Sequence, residues 1–347
     1  MGASLDHVVL EWEGTPPATH SKASFRLAEI LLEVDTDDPD LIEELSSVLG
    51  RPSDGPDGRV HARFGASIRA RGGPARFGHL KLQPAQDDVQ SPAELMLGLR
   101  SSEFPFELVE AAPAWTSLAF RGETTPMFAL RGEHCLFALV SGWRKAVALF
   151  LLQRLMRLRS DAIFFHAASV ATLGRGALLV GPKAAGKSTL ALALATRGHG
   201  LLGDETACYL PAREELLSFR RPVGIKPGPR ARAVQDALAR AGRDPERDGM
   251  MRLPAEDLLL APPPEPVPLR AVVFLRGRGD SPRLERVEPG REDLAALQPV
   301  GSSFANAAST QRVFQLVRML SRADVFHLRS GDPDETASVL ESALGRP

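Results

Sequence analysis

The sequence predicts an α/β protein in two parts: a smaller α+β N-terminal domain over residues 1–141, and a larger domain over 142–347 in which a mainly antiparallel or mixed sheet carries flanking helices. Three observations predict it. Beyond about residue 160, short apolar runs alternate with helix-forming segments, the pattern of a buried sheet with helices packed on it. One glycine-rich turn, Gly181 to Thr189, stands between such a run and a strong helix former. The first half, in contrast, is broken by glycine and proline into short strand-like stretches. At 347 residues the chain also exceeds what one hydrophobic core usually serves, on a scale of roughly 150 residues per domain.

Composition narrows the function classes. Hydrophobic residues make up 44% and charged residues 24%, which is globular and not disordered. The 42 basic and 43 acidic residues leave a net charge of −1, so a nucleic-acid or anionic-membrane binder driven by overall charge is not expected. Only Cys135 and Cys208 are present, too few for a disulfide framework or a four-cysteine zinc site, and they read as ordinary buried thiols. The first thirty residues contain Asp6, Glu11, Glu13 and two prolines but no apolar core of signal-peptide length. With no membrane span expected, the reading is cytoplasmic. Six lysines stand against thirty-six arginines, and two of the six, Lys183 and Lys187, fall in the one glycine-rich turn.

In chain order, Leu27 to Val34 is a β-like run, followed by an Asp-rich turn and a helix from Asp40 to Leu49. Turn formers from Gly50 to Gly73 flank the alternating stretch Val60 to Ile68, a half-buried antiparallel strand. Strands are expected around Phe106 to Val109, Trp115 to Phe120, Met127 to Leu130 and Cys135 to Val140, a meander. Between Gly142 and Arg159, Val147, Leu151, Leu155 and Leu158 recur at helical spacing among Arg144, Lys145, Arg154, Arg157 and Arg159, a helix that bridges the halves. The second half then offers apolar runs at Phe164 to Ala171 and Ala177 to Val180, a helix over Ser188 to Thr196, and a short strand at Leu201 to Gly203. A proline-rich connection, 261–266, leads to a strand at Leu269 to Leu275. A helix over Gln311 to Leu320, a strand at Val325 to Leu328 and a helix over Thr336 to Leu344 close the chain.

Gly181-Pro182-Lys183-Ala184-Ala185-Gly186-Lys187-Ser188-Thr189 fills the pattern G-x-x-x-x-G-K-[ST] at every fixed position. Ala177 to Val180 precedes it as a strand, and Ser188 to Ala195 follows as a helix. Glycines let the backbone wrap an anion with its amide hydrogens pointing inward, and the new helix adds its positive end. The expected guest is a nucleotide phosphate tail, with Lys187 on the β- and γ-phosphates and the Ser188 hydroxyl on Mg²⁺. Such a loop alone does not separate kinase, motor, switch and transporter ATPase. The second signal is Arg197-Gly198-His199-Gly200-Leu201-Leu202-Gly203-Asp204-Glu205, in which the helix ends at a glycine and a short strand beside the loop strand delivers two acids. One of them suits the metal and the other a proton, with the assignment open. A third signal is His166, read on the strand just before the loop strand.

This combination resembles the C-terminal catalytic domain of HPr kinase/phosphorylase. The resemblance runs from about Phe165 to Asp204, and the N-terminal half is not similar to that enzyme's regulatory domain. It implies a P-loop kinase domain that uses ATP and Mg²⁺ to phosphorylate a serine. His166, Lys187 and Ser188 fall on family functional positions, and Asp204 and Glu205 fall on the family's Asp-Asp. The proton acceptor there is the second aspartate, replaced here by Glu205. No counterpart to the family's later Glu-Ile-Arg-Gly signature is evident, which puts phosphorolysis in doubt. Phe219 to Gly228 resembles a basic strand of related kinases, in which Arg221 or Lys226 would neutralise the transferred group or hold an acidic substrate.

The leading expectation is an ATP- and Mg²⁺-dependent kinase acting on a hydroxyl of a peptide or protein, with a small-molecule acceptor as an alternative. Competing readings are a nucleotide-dependent switch module without an acceptor, and nucleic-acid binding through the basic helix Trp143 to Arg159. The second of these is disfavoured by balanced charge. A homo-oligomer is left open, and residues 1–141 are read as a substrate- or partner-recognition domain.

Overall fold

The computed structural model describes residues 21–36, 38–53, 143–159, 161–240, 242–258, 260, 265–297 and 310–345, together with the backbone of six strands between 62 and 138. Contacts divide the chain into two compact units, Met1–Arg26 with Ile30–Leu158, and Leu27–Glu29 with Arg159–Pro347. Cys135, Arg154, Arg157 and residues 261–264, singled out above, have side chains or positions outside the described residues.

In the first unit, β1 (Ser21–Leu27) and β2 (Ile30–Thr36) lead into α1 (Pro39–Leu49). Proline in the first turn of α1 gives up no hydrogen bond, and Leu41, Leu45, Val48 and Leu49 make its buried face. The strands β3 (Ala62–Ala70), β4 (Arg76–Pro84), β5 (Phe106–Ala111), β6 (Thr116–Phe120), β7 (Phe128–Arg131) and β8 (His134–Ala138) follow, then α2 (Trp143–Leu158). The eight strands form one sheet in the order β1-β2-β3-β4-β8-β7-β6-β5. Strands β2 and β3 are parallel, as the crossover through α1 requires, and β4 to β8 continue antiparallel. Val147, Ala148, Leu151, Leu152 and Leu155 of α2 are buried. Arg144 donates from Nε and Nη2 to Asp38 at 2.8 and 3.1 Å. The helix expected to open the second half therefore packs within the first unit, and the division falls after Leu158 where 141/142 was expected.

The second unit begins with β9 (Ile163–Phe165), β10 (Ala168–Thr172) and β11 (Arg175–Val180), followed by α3 (Lys187–Thr196). Next come β12 (Gly200–Gly203), β13 (Ala207–Leu210), β14 (Glu215–Leu217) and β15 (Val223–Ile225). Short helices α4 (Pro229–Arg232), α5 (Gln235–Arg240) and α6 (Pro245–Asp248) lead to β16 (Met251–Leu253). Then β17 (Val267–Arg278), β18 (Arg283–Arg286), α7 (Arg291–Ala296), α8 (Thr310–Arg322), β19 (Asp324–Ser330) and α9 (Pro333–Leu344) complete it.

The main sheet runs β12-β10-β11-β17-β14-β13-β9, with β19 also on β17 and β18 on β19. It is the mixed, mainly antiparallel sheet the sequence predicts: β11, β17 and β19 are parallel to one another, and the remaining pairs are antiparallel. Both faces are covered, and the period of two sorts the side chains between two cores. Ala177 and Leu179 of β11 and Val273 and Leu275 of β17 pack with α3 and α9. Leu178, Val180, Val272 and Phe274 pack on the other side with Leu316, Met319 and Leu320 of α8. Buried from Leu190 to Ala195 on every side, α3 shows no apolar stripe, and its five alanines and leucines after Leu190 suit that setting.

Two expectations need correction. Phe164 to Ala171 is not one strand: His166 and Ala167 form a bend between β9 and β10, and those two strands pair at different ends of the sheet. The acid-bearing strand β12 is not beside the loop strand, because the tight β10–β11 hairpin places β10 between them.

Candidate functional site

Topology alone gathers the sequence motifs at one end of the second sheet. Strand β11 ends at Val180 and runs straight into the glycine-rich turn. Strand β10 is antiparallel to β11, with Ala168 opposite Leu179, so the bend holding His166 lies at that same end. Strand β12 is antiparallel to β10, with Gly203 opposite Ser169, so Asp204 and Glu205 emerge there too. The parallel neighbour β17 brings Leu275 alongside, one residue past the Val180–Phe274 pair. This is the carboxyl end of the parallel strands, where α/β sheets open their binding crevices.

The turn has the geometry its glycines allow. A methyl group on Gly181 would lie 3.1 Å from Leu275 Cβ and 3.1 Å from Ala185 Cβ, so any larger residue there would push the loop a few tenths of an ångström off β17. Gly186 takes φ 98° as the residue before α3, and Ala184 takes φ 66°, a left-handed conformation that costs an L-residue energy and recurs at functional loops. The Lys187 ammonium donates to the carbonyls of Gly181 and Pro182 at 2.7 and 3.1 Å, holding the two ends of the loop together. Pro182, Lys183 and Ala184 are exposed at the tip, Ala185 and Thr189 are half-buried, and Lys187 and Ser188 are buried at its base. Burial lowers the Lys187 pKa, Arg230 adds to the lowering, and the carboxylates of Asp204 and Glu205 work against it.

The acid pair sits in a tight turn. A methyl on Gly203 would meet the Thr206 carbonyl at 2.4 Å and the Phe219 carbonyl at 3.2 Å, so only glycine fits. Glu205 holds φ 61°, again left-handed. The two acids then part company. Asp204 is buried, and neither carboxylate oxygen has a partner in hydrogen-bonding geometry. Burial raises its pKa, while the neighbouring Ser188 hydroxyl and Arg230 guanidinium favour its charge. An orphaned, buried carboxylate next to a hydroxyl at the first turn of a loop-helix is the donor set a small hard cation takes when phosphates and water complete its shell. Among the described residues no group of three or more His, Cys, Asp or Glu side chains forms a metal site, and such a shell does not need one. Glu205 instead faces a second element, with Oε2 4.0 Å from Arg252 Nη2.

That element is the ribbon of β15 and β16, separate from the main sheet. The Phe219 amide donates to the Leu202 carbonyl at 2.8 Å, which brings Arg221 near the acids, while Arg220 Nη2 lies 3.5 Å from Glu256. Arg221 is pushed down to about 10 by burial and by Arg252, against the pull of Glu205 and Asp204. Lys226, the other basic residue expected to bind substrate, is exposed beyond β15. Sequence reading missed Arg230 and Arg252. Neither carries a motif signal, and only the pairing of Gly224 with Arg252 across the ribbon and the Arg230 Nη1 bond to the Gly224 carbonyl, 2.6 Å, bring them in.

The Arg-Gly-His stretch has a different role from the acids that follow it. It closes α3 in a Schellman turn: the His199 amide donates to the Leu194 carbonyl and the Gly198 amide to the Ala195 carbonyl, with Gly198 at φ 92°. Its side chains then seize α9, with His199 Nε2 2.7 Å from Glu341 Oε1 and Arg197 donating to Ser338 at 2.8 Å.

Comparison with known proteins gives the same direction. The chain is 31% identical over 158 residues to the HPr kinase/phosphorylase of Aromatoleum aromaticum, covering 43% of this chain and 50% of that protein. It is 29% identical over 153 residues to the HPr kinase/phosphorylases of Paraburkholderia phytofirmans and Burkholderia lata, covering 43% and 48% of those proteins. Over about 43% of its length the chain is similar to HPr kinase/phosphorylases. It spans about half the length of these relatives. No profile of a known protein family matches it. Among solved structures, the Hpr(Ser) kinase/phosphatase of Coxiella burnetii aligns at 14% identity and a TM-score of 0.24, over 52% of this chain and 93% of that one.

Two outcomes follow for this site. Gly203→Ala is expected to lower stability by about 1–3 kcal/mol in urea unfolding, because the added carbon has no room against the Thr206 carbonyl. Asp204→Asn is expected to raise the stability of the free protein, on the order of 1 kcal/mol, by removing a buried charge that folding leaves unpaired. The sign with pH is fixed: a raised carboxyl pKa means the folded state holds the proton longer, so stability falls as pH rises from about 3.8 through the raised value. The gain from Asp204→Asn therefore vanishes at low pH and is complete above that window. A thermal-melt series in which the variant is less stable at neutral pH would sink this account.

Proposed function

We propose that the chain is a kinase that transfers the γ-phosphoryl group of ATP to a hydroxyl, a serine of a peptide or protein. The observation that carries this reading is the pairing of a G-x-x-x-x-G-K-S turn with an orphaned buried carboxylate at its base. In it, the amides of Gly181 to Ser188 and the positive end of α3 cradle the phosphates, and Lys187 turns its ammonium from the Gly181 and Pro182 carbonyls toward them. Ser188 and Asp204 would hold Mg²⁺, which offsets charge on the β- and γ-phosphates.

The open question between the two acids has a physical answer in this reading. Asp204 is buried beside Ser188 and faces inward, which suits a ligand and not a group that must meet an arriving substrate. Glu205 is only partly buried and faces the basic ribbon, and it takes the proton from the acceptor hydroxyl. Arg221 neutralises charge on the group in flight, and half-buried His166, at the same end of the sheet, orients a phosphate or an acid. Proximity and electrostatic complementarity, and not covalent chemistry, supply the rate. The first unit recognises the substrate or partner. The buried thiol of Cys208, with its pKa pushed up to about 12, suits a reducing cytoplasm. Among the described residues no helix is long and apolar enough to cross a membrane.

The test is transfer of label from γ-³²P ATP to serine-containing peptides and proteins. Lys187→Ala and Glu205→Gln are each expected to cost on the order of a hundredfold or more in turnover, with Glu205→Gln retaining ATP affinity. ATP that binds with no hydroxyl ever labelled would remove the kinase reading and leave a nucleotide-dependent switch.

A further inference from the structure

Arg252 on the β15–β16 ribbon, with Arg221 just before it and Arg230 just after β15, supplies more positive charge than the transfer of one phosphoryl group calls for. Its Gly224 packs against the acid turn: a methyl there would lie 3.8 Å from Glu205 Oε1 and 3.7 Å from Arg230 Nη1. Arg230 spends Nη1 on the Gly224 carbonyl, and its Nε is buried without an acceptor. Arg252, across the ribbon from Gly224, reaches Glu205 only at 4.0 Å, beyond hydrogen-bond range, with 39% of its side chain exposed. Arg221 stands near enough for Arg252, Glu205 and Asp204 all to act on its charge. Lys187 and the loop amides already serve the nucleotide, and Asp204 serves the metal. Arg252 and Arg230 then stand beside Glu205, with Arg221 near enough to add to the positive charge there. Like charges brought together in a partly buried site are unfavourable unless an anion joins them, and arginine is the side chain whose planar fork grips a carboxylate or phosphate in two places.

We infer that Arg252, together with Arg230 and Arg221, reads an oxyanion on the acceptor itself, so that the molecule offering the hydroxyl carries a carboxylate or phosphate close to it. This rests on the phosphoryl-transfer reading above and adds the substrate class. Arg252 is the residue that discriminates: it is the exposed member of the three, and it lies 4.0 Å from Glu205, too far for a hydrogen bond it would have to give up. The two sources of such an anion are an acidic residue or free carboxyl terminus next to a serine in a peptide, and a small hydroxy acid.

The experiment measures label transfer from γ-³²P ATP to matched acceptors: serine peptides flanked by Asp or Glu against the same peptides with Asn or Gln, peptides ending in a free carboxylate against their amides, and serine against serinamide. The acidic member of at least one pair is expected to lead by about tenfold or more in kcat/KM, the worth of a charge-assisted contact, and the pair that does so names the source. Arg252→Gln is expected to raise the KM for the acidic acceptor and erase the preference, with the KM for ATP and the melting temperature unchanged. Arg252→Glu is expected to turn the preference toward lysine-flanked peptides. Equal labelling of acidic and neutral acceptors overturns the inference and leaves the kinase reading standing. A loss in kcat of equal size on both acceptors in Arg252→Gln also overturns it, since that result assigns Arg252 to support of Glu205. Bound ATP with no acceptor labelled overturns both.

Discussion

Everything in the second unit turns on a carboxylate that folding buries and leaves without a partner. Neither Asp204 oxygen has a partner in full hydrogen-bonding geometry, although the Ser188 hydroxyl and the Glu205 backbone stand close enough to favour its charge; Lys187, Arg221 and Arg230 stand near, and the turn that holds it can be made only with glycine at 203. Buried polar groups in native proteins are nearly always satisfied, and an exception signals either strain held for use or a missing guest. Here the surroundings decide between those. Ser188 and Lys187 reach the same spot from the phosphate-binding turn, so the cost carried by the free protein becomes binding energy once a cation and an anionic tail arrive together.

The sheet explains why these groups meet. Had β12 paired directly with β11, Asp204 would stand one strand spacing from the turn. The β10–β11 hairpin sets it two strands away, and the Ser188 hydroxyl nevertheless lies beside it. The bend at His166 and Ala167 follows from the same pairing: strands β9 and β10 part there, one joining β13 and the other β11. At the far end of α3, the Schellman turn and the grip of Arg197 and His199 on α9 fix the helix whose opposite end carries the glycine-rich turn.

Legibility from sequence followed the range of the interactions. Local signals were readable: the turn between β11 and α3, the helix stop at Gly198, and the strands with strong period-two patterns all lie within a few residues of where the sequence puts them. The acid pair was readable because it sits a fixed distance after the helix. What the sequence hid was set by long-range pairing. The break at His166 carries no turn residue, since Phe165, His166, Ala167 and Ala168 read as a continuing strand, and it forms because the two halves pair with different partners. Arg230 and Arg252 are two of thirty-six arginines. Nothing local marks them, and a two-stranded ribbon of three residues a side, closed across more than twenty intervening residues, is what brings them to Glu205.

The glutamate at position 205 connects the strain in the turn to the charge around it. A left-handed conformation is tolerated by Asn and Asp, whose short side chains bond locally, more readily than by a longer acid. An aspartate in that conformation would keep its carboxylate close to its own backbone. Glutamate carries the carboxylate one carbon farther, far enough to lie 4.0 Å from Arg252 on the ribbon. The longer side chain and Arg252 on the ribbon are therefore two sides of one arrangement: Glu205 reaches outward from the turn, and a cation meets it there. In the proposed reaction that reach would set the acceptor hydroxyl nearer the ribbon than the loop, where selection among acceptors by their own charge would take place.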